Sequence, residues 1–127
     1  MFIGLNPSTA TAAKDDPTIR RCVAFARAWD YEALCMTNLF AYRATDPSIM
    51  KKAPDPVGCD NDATLLRLAH GAGIVIAAWG VHGTYQGRDQ SVRRLVPAMH
   101  YLRLTKAGSP GHPLYLPGNL RPVVWTE

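Results

Sequence analysis

The sequence predicts an α/β domain, a three-layer α/β/α sandwich around a central, mainly parallel sheet of about four strands. Three observations predict it. Apolar segments of strand-like period alternate with segments of helical period in the order βαβαβαβ, and parallel strands need such crossovers. Each strand-like run ends in a polar turn rich in glycine or proline. The 127 residues, 47% hydrophobic and 19% charged, suit a single domain spanning residues 1–127 with a core of its own.

The first strand is the short run FIGL, which stops at Asn6-Pro7 because the residue before a proline is pushed out of the helical region. Asp16-Pro17 then supplies an N-cap and a proline at the first helical position, where its missing N–H costs nothing. Ile19, Cys22, Val23, Ala26 and Trp29 follow at helical spacing, so an amphipathic helix is expected to about Asp30. EALCMTNLF is the second strand. The next stretch, AYRATDPSIMKKAPDPVGCDN, reads as a loop too broken by proline for a regular element. Asp60 caps a second helix, DATLLRLAHGAG, ended by glycine. GIVIAAWG is the third strand, GRDQSVRRLVPA a shorter third helix, and MHYLRLTKAG the fourth strand.

Composition narrows the function classes. No apolar stretch approaches the roughly 18–20 residues that span a bilayer, and the start lacks a signal peptide's charged and apolar regions, so a cytoplasmic protein without a membrane role is expected. Cys22, Cys35 and Cys59 are odd in number, far apart and without a C-x-x-C pair, which argues against a disulfide framework or a metal site. No G-x-G-x-x-G or P-loop follows a strand, and no cofactor is expected. The net charge of +4 is compatible with an anionic partner.

In doubly wound sheets ligands bind beyond the carboxyl ends of the strands. GLNPSTA, TNLFAYRAT, WGVHGTYQG and AGSPGHPLYL follow the four strands and converge on that edge. The candidate ligand-binding residues are Leu5, Pro7, Ser8, Thr9, Asn38, Phe40 and Trp79, with Asn6 and His112 as candidates for chemistry. Each has a plainer reading: Asn6 to Thr9 as a turn satisfying its own backbone, Asn38 as a strand-end cap, His112 as a surface histidine, Trp79 as core. Their convergence on one edge favours a ligand. Arg20 and Arg21 lie at a helix start, where the macrodipole disfavours cations, a placement that a nearby anion would explain. With Arg43 and Lys106 they are the candidate phosphate-binding residues. Lys51, Lys52, Arg88, Arg93, Arg94 and Arg103 lie in or beside other loops, either tracking phosphates or simply solvated.

GLNPSTA, DDPTIRRC, TNLFAYRATDP, the NDATL helix start, AWG and GHPLYLP together resemble an uncharacterised bacterial and phage family of unknown function, family 1643, over nearly the whole chain. The resemblance implies a fold rather than a reaction. Members usually carry residues before the GLNPS strand, so this chain is expected to lack an N-terminal flanking segment. More distantly, the set is similar to the uracil-DNA glycosylase superfamily, in particular its mismatch-specific branch. There a G-I-N-P-G loop follows strand one, a T-N-hydrophobic segment strand two, and a His/Asn-Pro-Ser loop strand four.

That likeness implies a uracil-DNA-glycosylase-like fold and a part in DNA repair, with a nucleobase, nucleotide or nucleic acid such as DNA as the partner. By the same likeness Asn6 holds the attacking water, Asn38 falls beside the segment holding the flipped base, His112 opens the loop that pinches the backbone, and Leu114 or Tyr115 is the wedge. Ser8 stands where the family has its second glycine, and Leu114 where it has a serine. The chemistry suits the residues, because breaking an N-glycosidic bond needs a held water and donors to the departing base rather than strong acids or bases. Two functions of different class are therefore expected alternatives: an N-glycosidic hydrolase, or a non-catalytic domain binding a nucleotide or a partner at the same edge.

Overall fold

The structure is a computed structural model and describes residues 1–8 and 16–126. Its elements are β1 (Phe2–Gly4), α1 (Pro17–Ala28), β2 (Met36–Asn38), α2 (Pro47–Lys52), α3 (Asn61–His70), β3 (Ile76–Ala77), α4 (Arg88–Leu95), β4 (His100–Tyr101) and β5 (Val123–Val124), with 3₁₀ turns at Val81–Gly87 and Pro113–Tyr115. The strands form one sheet in the order β2-β1-β3-β4-β5. The first four are parallel and β5 runs antiparallel to β4.

Strand side chains alternate between the two faces, as a two-residue repeat requires. Ile3, Ala77 and Tyr101 face one apolar cluster with Leu65 and Leu68 of α3 and Val92 and Leu95 of α4. Phe2, Ile76 and Leu102 face another with Cys22 and Phe25 of α1. Helices thus cover both faces of the sheet. On α1 the buried residues Cys22, Phe25 and Ala26 fall at helical spacing. Its start is fixed by the Asp16 carboxylate, which accepts from the Thr18 and Ile19 N–H groups at 2.8 and 3.4 Å. Burial disfavours the Cys22 thiolate, and the Asp16 carboxylate adds to this, pushing the thiol pKa up to about 12.

Three expectations are corrected. The sheet has five strands where about four were expected. The stretch after β2 contains a helix, α2, started by the device that starts α1: the Asp46 side chain accepts from the Ser48 N–H at 2.9 Å, with Pro47 in the first turn. Arg88, expected in or beside a loop as a phosphate-tracking or solvated cation, is 5% exposed and sits inside the fold. No helix among the described residues is long and apolar enough to cross a membrane.

Candidate functional site

The chain steps from β1 outward to β2 and then crosses back past β1 to β3, so the order of the sheet reverses between β1 and β3. In open α/β sheets the crevice outside the carboxyl ends at that reversal is the favoured place for a ligand. The loops after β1 and β2 are tied together there. The Leu39 N–H donates to the Gly4 carbonyl and the Phe40 N–H to that of Leu5, each at 2.9 Å, and the Ala44 N–H donates to Pro7 at 3.0 Å. The Arg43 Nη1 donates to the Ser8 carbonyl at 2.6 Å. Thr9 lies outside the described residues.

Asn6 adds three more ties. Its Nδ2 donates to the carbonyls of Ala44, Tyr42 and Pro7 at 2.9, 3.2 and 3.3 Å. Three acceptors around one amide nitrogen settle which way the amide is turned, because Oδ1 has no hydrogen to give them. The nitrogen is occupied by the backbone, and among the described residues Oδ1 is the atom left for a water or a ligand. The turn-forming role and a water-holding role are thus compatible in one side chain.

Asn38 faces Gly4 across the β1–β2 pair. A Cβ on Gly4 would stand 3.1 Å from Asn38 Oδ1, so the glycine makes room for that amide. The backbone around Asn38 is held from the other side. Asn61 Nδ2 donates to the Asn38 and Leu39 carbonyls at 3.0 and 2.9 Å, and Arg88 Nε donates to Leu39 at 2.7 Å. Arg88 also pairs with Asp62 at 2.6 Å, while its Nη2 is buried without an acceptor among the described residues. The half-buried Asn38 amide makes no hydrogen bond of its own among the described residues, so it can donate and accept at the crevice.

The loops after β3 and β4 form a second tied pair, joined by the Gly80 N–H donating to Pro110 at 2.8 Å. His112 follows, and its Nδ1 accepts from the Leu114 N–H at 3.2 Å. This acceptor role places the ring proton on Nε2. Burial pulls the His112 pKa below the usual 6.5, opposed by the Asp16 carboxylate. At neutral pH the ring is therefore an uncharged Nε2–H donor. Tyr115 lies against it at 5.5 Å between ring centres and is 82% exposed, whereas Leu114 is 39% exposed.

Other candidates sit elsewhere. Phe40 is fully buried with its ring 6.0 Å from that of Tyr85, and Leu5 packs against the same cluster. Trp79 is 2% exposed, against Trp125 and under Gly83, where a Cβ would come within 2.1 Å of the indole. Its Nε1 is buried without an acceptor among the described residues. The Arg21 guanidinium lies over Phe25 at 5.6 Å and donates to the Leu116 carbonyl, tying α1 to the segment after residue 112. Its place near a helix start thus has an internal explanation. Arg20 and Lys106 are exposed. A groove of about 600 Å³ at the opposite, amino edge, lined by Trp29, Tyr31, Cys35 and Leu68 among others, contains none of the candidate site residues.

Sequence reasoning missed Gly4, Asn61 and Arg88 as parts of this edge. A glycine inside a strand signals close approach, and an arginine at a helix start signals an unusual partner; the second signal was read at Arg20 and applies equally at Arg88. No group of three or more histidine, cysteine or acidic side chains among the described residues is placed to hold a metal. A family model described as a protein of unknown function, DUF1643, matches residues 1–114. No curated protein and no solved structure matches the chain.

Proposed function

The chain belongs to the DUF1643 family, and we propose that it binds a nucleobase, in a nucleotide or a nucleic acid, at the carboxyl edge of its sheet between β1 and β3. The observation that carries this reading is the Asn38 amide, anchored through its backbone, given space by Gly4 and making no hydrogen bond of its own among the described residues. An amide offers one acceptor and two donors, which matches the mixed edge of a base.

Asn6 favours hydrolysis of an N-glycosidic bond over binding alone, because its amide is turned so that Oδ1 can accept from a water. The water oxygen would bond to the sugar C1′ as the C1′–N bond breaks. The base leaves with the bonding electrons, the water's surplus proton passes to solvent or to the departing base, and a neutral His112 Nε2–H stabilises the charge on that base. A domain that binds without catalysis is the competing outcome of the same test.

The test is a screen of the purified chain on single- and double-stranded oligonucleotides carrying uracil, mismatches or modified thymines, scored for binding and abasic sites. Asn38→Ala should weaken binding by roughly 1–3 kcal/mol, the cost of unpaired polar groups. Asn6→Ala should lower the single-turnover rate more than affinity, since it removes a contact made mainly in the transition state. Binding that is untouched by Asn38→Ala would refute the base-reading role. Binding without abasic sites would leave a binding domain.

A further inference from the structure

Lys51 lies in the last turn of α2, in the connection after β2, and His82 stands in the 81–87 segment after β3. Both belong to connections that leave the carboxyl edge. The Lys51 Nζ is 3.0 Å from His82 Nδ1. Among the described residues its polar partner is this imidazole, where a structural lysine would more often meet a carboxylate; the ammonium can only donate, so Nδ1 accepts and the ring's own N–H is at Nε2. The Asp46 carboxylate that caps α2 is fully exposed and turned to the Ser48 N–H, which holds its pKa below the usual value; Lys52 and His82 add to that effect.

The two groups are also held in place. Tyr85 Oη donates to the Lys51 carbonyl at 2.8 Å, its ring centre lies 5.3 Å from the Lys51 ammonium, and the same ring packs on buried Phe40. A long side chain fixed in this way has already lost much of the freedom it would lose on gripping a ligand. The remaining Lys51 N–H groups and the His82 Nε2–H, preset side by side at the proposed ligand edge with the nearby Asp46 carboxylate turned to the Ser48 N–H, suit the tetrahedral oxygens of a phosphate.

We infer that Lys51 and His82 form a phosphate subsite for the ligand held at the carboxyl edge. The inference rests on the proposed nucleobase reading, for it assigns the sugar-phosphate part of that ligand to the connections after β2 and β3. The Lys51 ammonium and the His82 ring each donate to a phosphate oxygen, and Tyr85 keeps the two connections at the spacing that allows it.

Calorimetric titration of the full chain at low salt with inorganic phosphate, thymidine, thymidine 5′-monophosphate and a short oligothymidylate tests this. Lys51→Gln and His82→Gln should each weaken inorganic phosphate and both phosphorylated probes about five- to tenfold, as for loss of one charge-assisted bond at a partly exposed site, and leave thymidine unchanged. Melting curves check that both variants fold. Arg67→Gln removes an equal charge beside the groove at the amino edge and should change every probe less than about twofold. A larger effect on the monophosphate than on the oligomer identifies a terminal phosphate as the group held, and the reverse identifies a backbone diester. Equal losses in Arg67→Gln, or no phosphate binding by the native chain, would overturn the subsite. Thymidine binding that persists while the phosphate arms do not respond removes the subsite and keeps the base reading. Phosphate binding that responds while thymidine does not bind removes the base reading and keeps the subsite.

Discussion

His112 shows how one side chain can be shaped both by its local turn and by burial. Its Nδ1 starts the 3₁₀ turn at Pro113–Tyr115 by accepting from Leu114, and burial keeps the ring neutral. The lowered pKa has a stability consequence whose sign is fixed. In the unfolded chain the ring takes up a proton near pH 6.5, and in the folded chain only at lower pH. Above 6.5 both forms are neutral and the group contributes nothing to the pH dependence. As pH falls from 6.5 towards the folded value, the unfolded chain gains a proton that the folded chain refuses, and stability declines. The native melting temperature should therefore fall more steeply between pH 7.5 and 5.5 than that of His112→Asn, which keeps an acceptor for the Leu114 N–H. Equal slopes would show that the ring titrates alike in both states. The sequence singled out Asn6, Asn38 and His112 because polar residues at strand ends are visible in the chain order. It could not show that three carbonyls from Pro7, Tyr42 and Ala44 turn the Asn6 amide, since two of them arrive from another loop.

At the scale of elements, the carboxyl edge is braced by the starts of α3 and α4 meeting at the end of β2. Asn61, Asp62 and Arg88 do this, with the Leu39 carbonyl accepting from both Asn61 and Arg88. The arrangement is unequal. Arg88 is buried and Asp62 is 60% exposed, so losing either partner strands a different group. Arg88→Met removes the buried charge, keeps most of the volume and leaves Leu39 bonded to Asn61, so it should cost about 1 kcal/mol or less. Asp62→Ala leaves a buried guanidinium with the Leu39 carbonyl alone and should cost about 1–3 kcal/mol. Urea unfolding of both variants measures the order, and a larger loss for Arg88→Met would show the cation to be a net stabiliser in its own right. Element starts were legible where a local device sets them, as at Asp16-Pro17. The same device at Asp46-Pro47 went unread because the surrounding prolines suggested a loop, although Pro47 falls in the helix's first turn, the place where a helix tolerates it. The Arg88 brace was not legible, because it joins residues 39, 62 and 88 through space.

For the whole molecule, the alternation of periods determined the parallel four-strand core, and the strand order places the proposed ligand edge between β1 and β3. The fifth strand escaped notice because Val123-Val124 is a two-residue run after a proline, too short to show a period. It matters to the fold out of proportion to its length. The matched family segment ends at residue 114, yet Trp125 returns to the main core cluster, 5.8 Å from Trp79 and 5.9 Å from Tyr101 between ring centres. Arg93 lies 3.8 Å over the Trp125 ring, and the Trp125 backbone N–H donates to the Met99 carbonyl at 2.9 Å. The C-terminal segment therefore closes the core over β4 and steadies the buried indole at the end of β3, beneath the Val81–Gly87 turn that carries His82. Trp125→Ala should cost about 3–5 kcal/mol, the range for emptying a buried aromatic site and a large share of an ordinary domain's 5–15 kcal/mol. Trp125→Phe, which keeps a ring for Trp79 and Arg93, should recover a substantial part of it. Urea unfolding followed by far-ultraviolet circular dichroism reads both. Phosphate affinity of the alanine variant, measured while it remains folded, should drop as well, because the turn over Trp79 loses its support. A loss below about 1 kcal/mol for Trp125→Ala would mean that the sheet and its ligand edge hold together without the last strand.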